Sequence, residues 1–329
     1  MKRRYAIAGF VVILLALGWF LRGVEWSQVR RAFAQVRLEW VGIIAAIAAV
    51  RMVLFAWRWT YLLRPVHPLG FGLCFRASGV GFLSNVLLPA RADPVVRAVV
   101  AGKGGRVPAS SVFATVVAER LITALLFLPL AVLAMGWVKP PLLSPAMKAS
   151  LQVVVGLFGA GVVAVGVALV ALVRARQGTL ALLGRALAFL PVPWVERIKE
   201  WLDTFVVGLR GLYTGRSLAP FITISLAIWG CWFISNLCLF QAFDLALPPS
   251  AALMLMLLQF LSFSLPTGPG FLGTYHVAAT TSGLLLYGLP SAIALSAAIV
   301  LRVAITTIIV LVGLGCLLAG RHQKLAALT

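Results

Sequence analysis

The sequence predicts an all-α, polytopic membrane bundle with about six full spans and two re-entrant, broken-helix hairpins in an inverted repeat. Of 329 residues, 62% are hydrophobic and 11% are charged, less than half the charged fraction of about 25% found in globular domains. Two apolar stretches are interrupted by prolines. Runs without Asp, Glu, Lys or Arg, each long enough to approach or exceed a bilayer crossing, occupy residues 5–21, 121–138, 150–173, 217–243 and 245–301.

The basic residues that flank the apolar runs predict how the chain is oriented. Lys and Arg concentrate at the cytoplasmic ends of spans, so Lys2 to Arg4 place the N-terminus inside. Residues 25–37 repeat apolar positions at three and four and are predicted to form a surface helix. The protein is expected in the inner (plasma) membrane of a bacterial cell, with both termini in the cytoplasm. Full spans are predicted at 5–21, 40–58, 108–138, 150–173, 218–242 and 291–319.

The formal net charge of +20 indicates the kind of partner. Twenty-eight Lys and Arg face eight Asp and Glu, yet the chain has no soluble basic domain of the kind that binds nucleic acid. The charge instead favours an anionic bilayer surface and an anionic ligand. We expect one integral membrane domain, 1–329, with one half at about 40–138, the other at about 218–319, and a basic cytoplasmic segment at about 174–216.

The first proline break lies in the stretch 71–101. Leu88 to Pro94 contains two prolines five residues apart, which stop a helix. A full crossing would place Arg97, Lys103 and Arg106 outside. A re-entrant hairpin returns them to the inside, where the second span is predicted to end at Arg58 and Arg64, and we therefore predict the hairpin.

The second break, Leu265 to Gly270, interrupts the stretch 249–289. A hairpin fits again, now entering from outside. Two broken segments in corresponding places that open from opposite sides are typical of inverted repeats whose broken helices meet near the midplane. Such tips mark a polar cavity, because irregular backbone at membrane depth needs protein or water around it. The alternative is that both breaks are ordinary loops between full spans.

Charged residues inside predicted spans are candidates for function, since an unpaired charge there is costly. Five arginines against two acids leave three positive charges, and guanidinium is well shaped to bind phosphate oxygens. The alternative is structural use, either by snorkelling to an interface or by ion pairs between helices. The set comprises Arg51, Arg76, Arg91, Asp93, Glu119, Arg120 and Arg302.

His276 follows the second break and is predicted to lie in the first turn of a half-helix, whose N-terminus can hold a phosphate. It is expected to be mostly neutral and to hydrogen-bond a head group; a structural histidine is the alternative. Gly270 is expected to let the backbone approach the ligand. No motif indicates a cofactor or a metal, and the four scattered cysteines are interpreted as packing residues.

Two motifs resemble a known family. Residues 85–92 read N-x-x-L-P-A-R-A and are followed by Arg97 and by A-E-R-L at 118–121. Residues 265–273 read L-P-x-x-P-G-x-x-G and are followed by Arg302. Together they are similar to the membrane domain of the lysylphosphatidylglycerol synthases and its stand-alone relatives, over nearly the whole chain.

The resemblance implies a flippase for a lipid, and not an enzyme. The soluble synthase domain is expected to be absent, because the chain ends at Thr329. The family usually has Gly-Glu at positions 93–94 and often Glu at position 276, and the change of these acids favours an anionic or phosphate-bearing lipid over a lysyl lipid. The substrate-binding residues are then expected to be Arg91, Arg97, Glu119, Arg120, Gly270, Gly273, His276 and Arg302.

The expected partner is a membrane phospholipid, or a polyprenyl or hopanoid lipid, and not nucleic acid. Two other functions remain open. The first is a non-transporting partner of a lipid, hopanoid or glycan biosynthesis enzyme, docked through the basic segment 174–216. The second is an integral membrane transferase, for which Asp93, Glu119 and His276 would be the candidate acids and bases.

Overall fold

The protein is all-α in the part of the chain that the computed structural model describes, which is residue 27 and residues 33–87, 92–174, 192–210, 218–262 and 279–326. The predicted fold class is therefore confirmed. The described helices are α1 (Leu38–Leu63), α2 (Phe71–Leu87), α3 (Asp93–Gly105), α4 (Ala109–Trp137), α5 (Pro145–Arg174), α6 (Val192–Arg210), α7 (Leu218–Ala242), α8 (Pro249–Ser262), α9 (Ala279–Leu285) and α10 (Ser291–Ala326).

Five of these helices, α1, α4, α5, α7 and α10, are long and apolar enough to cross a membrane. They coincide with the predicted spans two to six, whereas the predicted span 5–21 and most of the predicted surface helix 25–37 lie outside the described residues. Helix α1 continues past its predicted end at Arg58 to Leu63. The prediction placed Arg58 at the membrane surface, but its side chain is buried in the bundle, where a carboxylate on α4 binds it.

Helices α2 and α3 form an antiparallel pair around the first proline break. Asn85 bonds Asp93 at one end of the pair, and Gly104 packs against Leu73 at the other. The helices have 17 and 13 residues, fewer than the roughly 20 that cross a bilayer. The pair thus enters and leaves at the same end of the bundle. A hairpin requires this arrangement, whereas a full crossing by α2 would place its two ends at opposite ends of the bundle.

The depth of this hairpin follows from its contact with α4. Asp93, the first residue of α3, pairs with Arg120, which lies eleven residues beyond Ala109, where α4 begins. At about 1.5 Å per residue this is about 16 Å, near the middle of a hydrocarbon core about 30 Å thick. The hairpin therefore reaches roughly half-way along the bundle.

Helices α8 and α9 form a second antiparallel pair, joined by residues outside the described part of the chain. Gln259 bonds Thr280, and Gly283 packs against Leu255. Beyond α9, the Leu286 carbonyl accepts a hydrogen bond from Leu142, which follows α4. The second pair therefore opens at the end of the bundle where α4 finishes, opposite to the first pair.

The two hairpins belong to two similar four-helix units. In one, α1 and α4 flank α2 and α3; in the other, α7 and α10 flank α8 and α9. The units run in opposite directions, because α7 ends where α1 starts, with the Arg37 N–H bonded to the Ala242 carbonyl. This is the order and the opposed orientation that an inverted repeat requires.

Close packing of small residues joins the units. Gly79 and Leu83 on α2 lie against Gly313 and Cys316 on α10. A larger apolar core, which includes Ile44, Leu239 and Leu301, brings α1, α7 and α10 together. These contacts hold the first hairpin against the last long helix.

The predicted basic segment 174–216 contains α6, which packs on the start of α4. Phe113 contacts both Trp201 and Phe205 on α6, with ring centroids 5.8 and 6.3 Å apart, and Ser110 bonds Thr204. Helix α6 is thus held against the bundle end where the first hairpin opens.

His67 lies in the loop before α2, at the same end of the bundle. Its imidazole is hydrogen-bonded to Ser111 at 2.8 Å, which ties this loop to α4. Burial lowers the pKa of His67.

Candidate anion-binding cavity

A cavity of about 420 Å³ lies between the two units. Its walls come from α1, from the residues beside the tip of the first hairpin, and from α4, α7 and α10, with one aromatic side chain each from α5 and α8. The ionisable residues that line it are Arg51, Arg58, Asp93, Arg97, Glu119, Arg120 and Arg302.

Glu119 joins three helices through two buried arginines. Its Oε1 accepts a hydrogen bond from Arg58 at 2.7 Å, and its Oε2 accepts one from Arg97 at 2.8 Å. All three side chains are 3–4% exposed. Arg58 also donates to Ser225 on α7 at 3.1 Å. A carboxylate bound by two guanidinium groups is well compensated, so this triad fixes α1, α3 and α4 beside the cavity.

Asp93 and Arg120 form a second ion pair with a different exposure. The Asp93 side chain is 3% exposed, whereas that of Arg120 is 46% exposed. Asn85 on α2 also binds Asp93: its amide donates to Oδ1, the oxygen that Arg120 binds, and its carbonyl accepts the Asp93 N–H, both at 3.1 Å. Among the arginines that line the cavity, Arg120 therefore has the most exposed side chain.

Arg51 and Arg302 complete the basic lining. The Arg51 guanidinium lies over the Trp232 ring, 5.4 Å from its centroid. Arg302 lies eleven residues beyond the start of α10, as Arg120 does on α4. Because the two helices start at opposite ends of the bundle, both arginines lie about 16 Å from a bundle end. Each of the two inverted units thus contributes one arginine, at a similar distance from its own end of the bundle.

The charge of the lining indicates the class of ligand. Five arginines and two carboxylates give the described lining a formal charge of +3. Residues 88–91 and 263–278, which lie outside the described part of the chain, contain no Asp or Glu. Surplus positive charge at this depth is stabilised by an anion, and guanidinium binds phosphate oxygens in a bidentate way.

Aromatic side chains line the other flank of the cavity. Phe260, beside the tip of the second hairpin, stacks on Phe127 with ring centroids 3.7 Å apart and contacts Phe158 on α5 edge to face. Trp229 and Ile305 add further apolar surface to this flank. The cavity therefore joins a cationic wall to an apolar one, as an amphiphilic ligand requires.

The structure brings four of the eight predicted site residues together. Arg97, Glu119, Arg120 and Arg302 line one cavity. Arg97 and Glu119 also bind each other, as the structural alternative of ion pairs between helices expects, and their contact with substrate stays a prediction. The other four, Arg91, Gly270, Gly273 and His276, lie outside the described residues.

Two residues of the site are not identified by sequence reasoning. Arg58 is predicted to flank a span on the cytoplasmic side but is buried beside the cavity, and Asn85 enters the prediction only as part of a motif. The Trp59-Thr60-Tyr61-Leu62-Leu63 run after Arg58 was the available signal that the helix continues. Arg76, predicted as an intramembrane charge, does not line the cavity and lies beside Gly104 near the base of the first hairpin.

Comparisons with known proteins support the membrane assignment. Searches of curated proteins and of solved structures returned no match. A family model described as the lysylphosphatidylglycerol synthase TM region matches residues 6–313, a range that contains both hairpins and all ionisable residues of the cavity. The chain therefore belongs to the family of the lysylphosphatidylglycerol synthase transmembrane region.

Proposed function

We propose that the protein is a lipid translocator that moves a phosphate-bearing lipid across the bacterial inner membrane, and that it is not an enzyme. The observation that carries this proposal is the cavity lined by five arginines and two carboxylates and flanked by both hairpins. Its position about 16 Å along α4 would place it near the middle of the membrane. A charged lining at that depth is costly unless an anionic group compensates it.

The head group and the acyl chains would follow different routes. The phosphate would leave water and bind Arg120, with Arg302 on the opposite unit as a second contact. The apolar flank at Phe260, Phe158 and Trp229 would accept the part of the lipid next to the head group. The acyl chains would stay in the bilayer. Two units of opposed orientation would let the same arginines face each membrane surface in turn.

The lipid partner would be an anionic phospholipid or a polyprenyl or hopanoid lipid that carries phosphate. The bundle end with Arg64, Lys103 and Arg106 would face the cytoplasm, in keeping with the distribution of basic residues. The termini would lie on the same side.

A docking role is the second candidate function. On α6, Trp201 and Val207 are 46% and 51% exposed. An aromatic and an aliphatic side chain on the surface of a cytoplasmic helix suit contact with a lipid, hopanoid or glycan biosynthesis enzyme. A docking role alone would leave the cavity arginines unused.

Transport by the purified protein in vesicles tests the proposal. Fluorescent phosphatidate and phosphatidylglycerol would be placed in one leaflet of proteoliposomes, and their appearance in the other leaflet would be followed with a membrane-impermeant quencher. We expect transport by the parent protein and a loss of at least about tenfold in Arg120→Ala and Arg302→Ala, the effect of removing one charged hydrogen bond.

Arg174→Ala is the matched control, because Arg174 is an exposed arginine at the end of α5, outside the cavity. It should transport like the parent. Equal transport by all four proteins, or none by the well-folded parent with either lipid, would reject the translocator and favour the docking role.

A further inference from the structure

Asp93 has hydrogen-bond partners other than Arg120. Two hydrogen bonds to Asn85 fix it at the tip of the first hairpin, and it begins α3, where the positive end of the helix favours a carboxylate. Its pairing with Arg120 therefore adds a link between the hairpin and α4 that the position of Asp93 does not require.

This link occupies the arginine that an entering phosphate would meet first. Arg58 and Arg97 are 3–4% exposed and bind Glu119, whereas the Arg120 side chain is 46% exposed and binds Asp93 through Nη2. A phosphate that binds the Arg120 guanidinium shares this cation with the Asp93 carboxylate, and the two anions repel each other at close range.

We propose that Asp93 is an internal counter-ion that competes with the lipid phosphate for Arg120, and that phosphate binding breaks the Asp93–Arg120 link while the Arg97–Glu119 pair keeps α3 on α4. The inference rests on the proposed function. Asn85 keeps α2 and α3 joined beside Asp93 when this link is broken.

The competition makes a prediction about head-group charge. The Asp93 carboxylate repels a phosphate in proportion to the charge of that phosphate. Phosphatidate carries a phosphomonoester of about −1.5 to −2 at pH 7, phosphatidylglycerol carries one negative charge, and phosphatidylethanolamine is neutral overall. An ammonium group would in addition be attracted by Asp93.

Binding of these three lipids to the detergent-solubilised full chain tests the proposal. We expect Asp93→Asn to lower the Kd for phosphatidate about tenfold, to lower it less for phosphatidylglycerol, and not to lower it for phosphatidylethanolamine. The asparagine amide keeps an oxygen for the Asn85 donor. Asp93→Ser, which also removes the charge and keeps an acceptor, should give the same order and serves if Asp93→Asn fails to fold.

Weaker or unchanged phosphatidate binding in the folded variants would overturn the proposal and make Asp93 a positioning residue for Arg120. A gain of equal size for all three lipids would also overturn it, because a change in packing would not depend on head-group charge. Either result would leave the translocator intact if the parent protein transports phosphatidate. Failure of the parent to bind or transport any of the three would reject both.

Discussion

At the scale of single residues, Glu119 identifies the arginines of the cavity whose charge has a structural role. It is the shared partner of two buried arginines, so its removal leaves two guanidinium groups without their carboxylate. Breaking a buried pair costs about 3–5 kcal/mol. We therefore expect Glu119→Gln to lower the free energy of unfolding by at least about this amount, measured by thermal or denaturant unfolding in detergent.

Glu39→Gln is the control for this experiment. Glu39 binds Arg37, but the two side chains are 61% and 51% exposed, and exposed pairs contribute about 0–1 kcal/mol. It should unfold almost like the parent. A Glu119→Gln protein as stable as Glu39→Gln would show that the triad does not hold the bundle together.

The sequence indicates which charges are unusual but not which are paired. Arg91, Arg97, Glu119, Arg120 and Arg302 could be selected because they stand in apolar or motif positions. The partners of Glu119 come from helices 61 and 22 residues away in sequence, and such pairing depends on how the helices pack. For the same reason Arg58 could not be distinguished from the surface arginines that end spans.

Close approach of α2 and α10 gives a prediction at the scale of elements. A Cβ at Gly313 would lie 2.6 Å from the Leu83 Cβ and 2.9 Å from the Gly79 carbonyl oxygen, so backbone would have to move. Overpacking of this kind costs about 1–3 kcal/mol. We expect Gly313→Ala to lower the unfolding temperature in detergent.

Gly315→Ala is the matched control on the same helix, because nothing lies within 4 Å of a Cβ at that position. Alanine also has the higher helix propensity, so this variant should be as stable as the parent or more so. Equal destabilisation of the two variants would contradict the close packing of the first hairpin against α10.

Span positions were predictable because each depends on a local run of apolar residues. Helices α4, α5, α7 and α10 begin or end within a few residues of charges, prolines or glycines that the sequence displays. The hairpins were predictable in outline from their proline breaks. The side-chain pairs that fix them in the bundle were not, since contacts such as Asp93 with Arg120 depend on how the helices pack.

The opposed hairpins give a prediction for the whole molecule. Lys103 is exposed at the base of the first hairpin, and Lys139 is exposed beyond the other end of α4. Lys103→Cys and Lys139→Cys, each made without the four native cysteines, should react with an impermeant thiol reagent from opposite sides of the membrane. The Lys103→Cys protein is expected to react from the cytoplasmic side, as the first-hairpin topology requires.

Reaction of both variants from the same side would mean that α4 does not cross the membrane between them. Reaction of Lys103→Cys from outside alone would invert the proposed orientation while leaving the bundle itself unchanged. The two errors can therefore be told apart in one experiment.

Access of water and lipid phosphate to the cavity tests the central claim most directly. Thr123 lines the cavity, whereas Leu125, two residues later on α4, is 38% exposed on the outside of the bundle. In membranes, a charged thiol reagent should modify Thr123→Cys, added phosphatidate should slow that reaction, and Leu125→Cys should stay unmodified. A Thr123→Cys protein that is as inert as Leu125→Cys, or that reacts at the same rate with and without phosphatidate, would contradict a phosphate-binding cavity at mid-membrane depth.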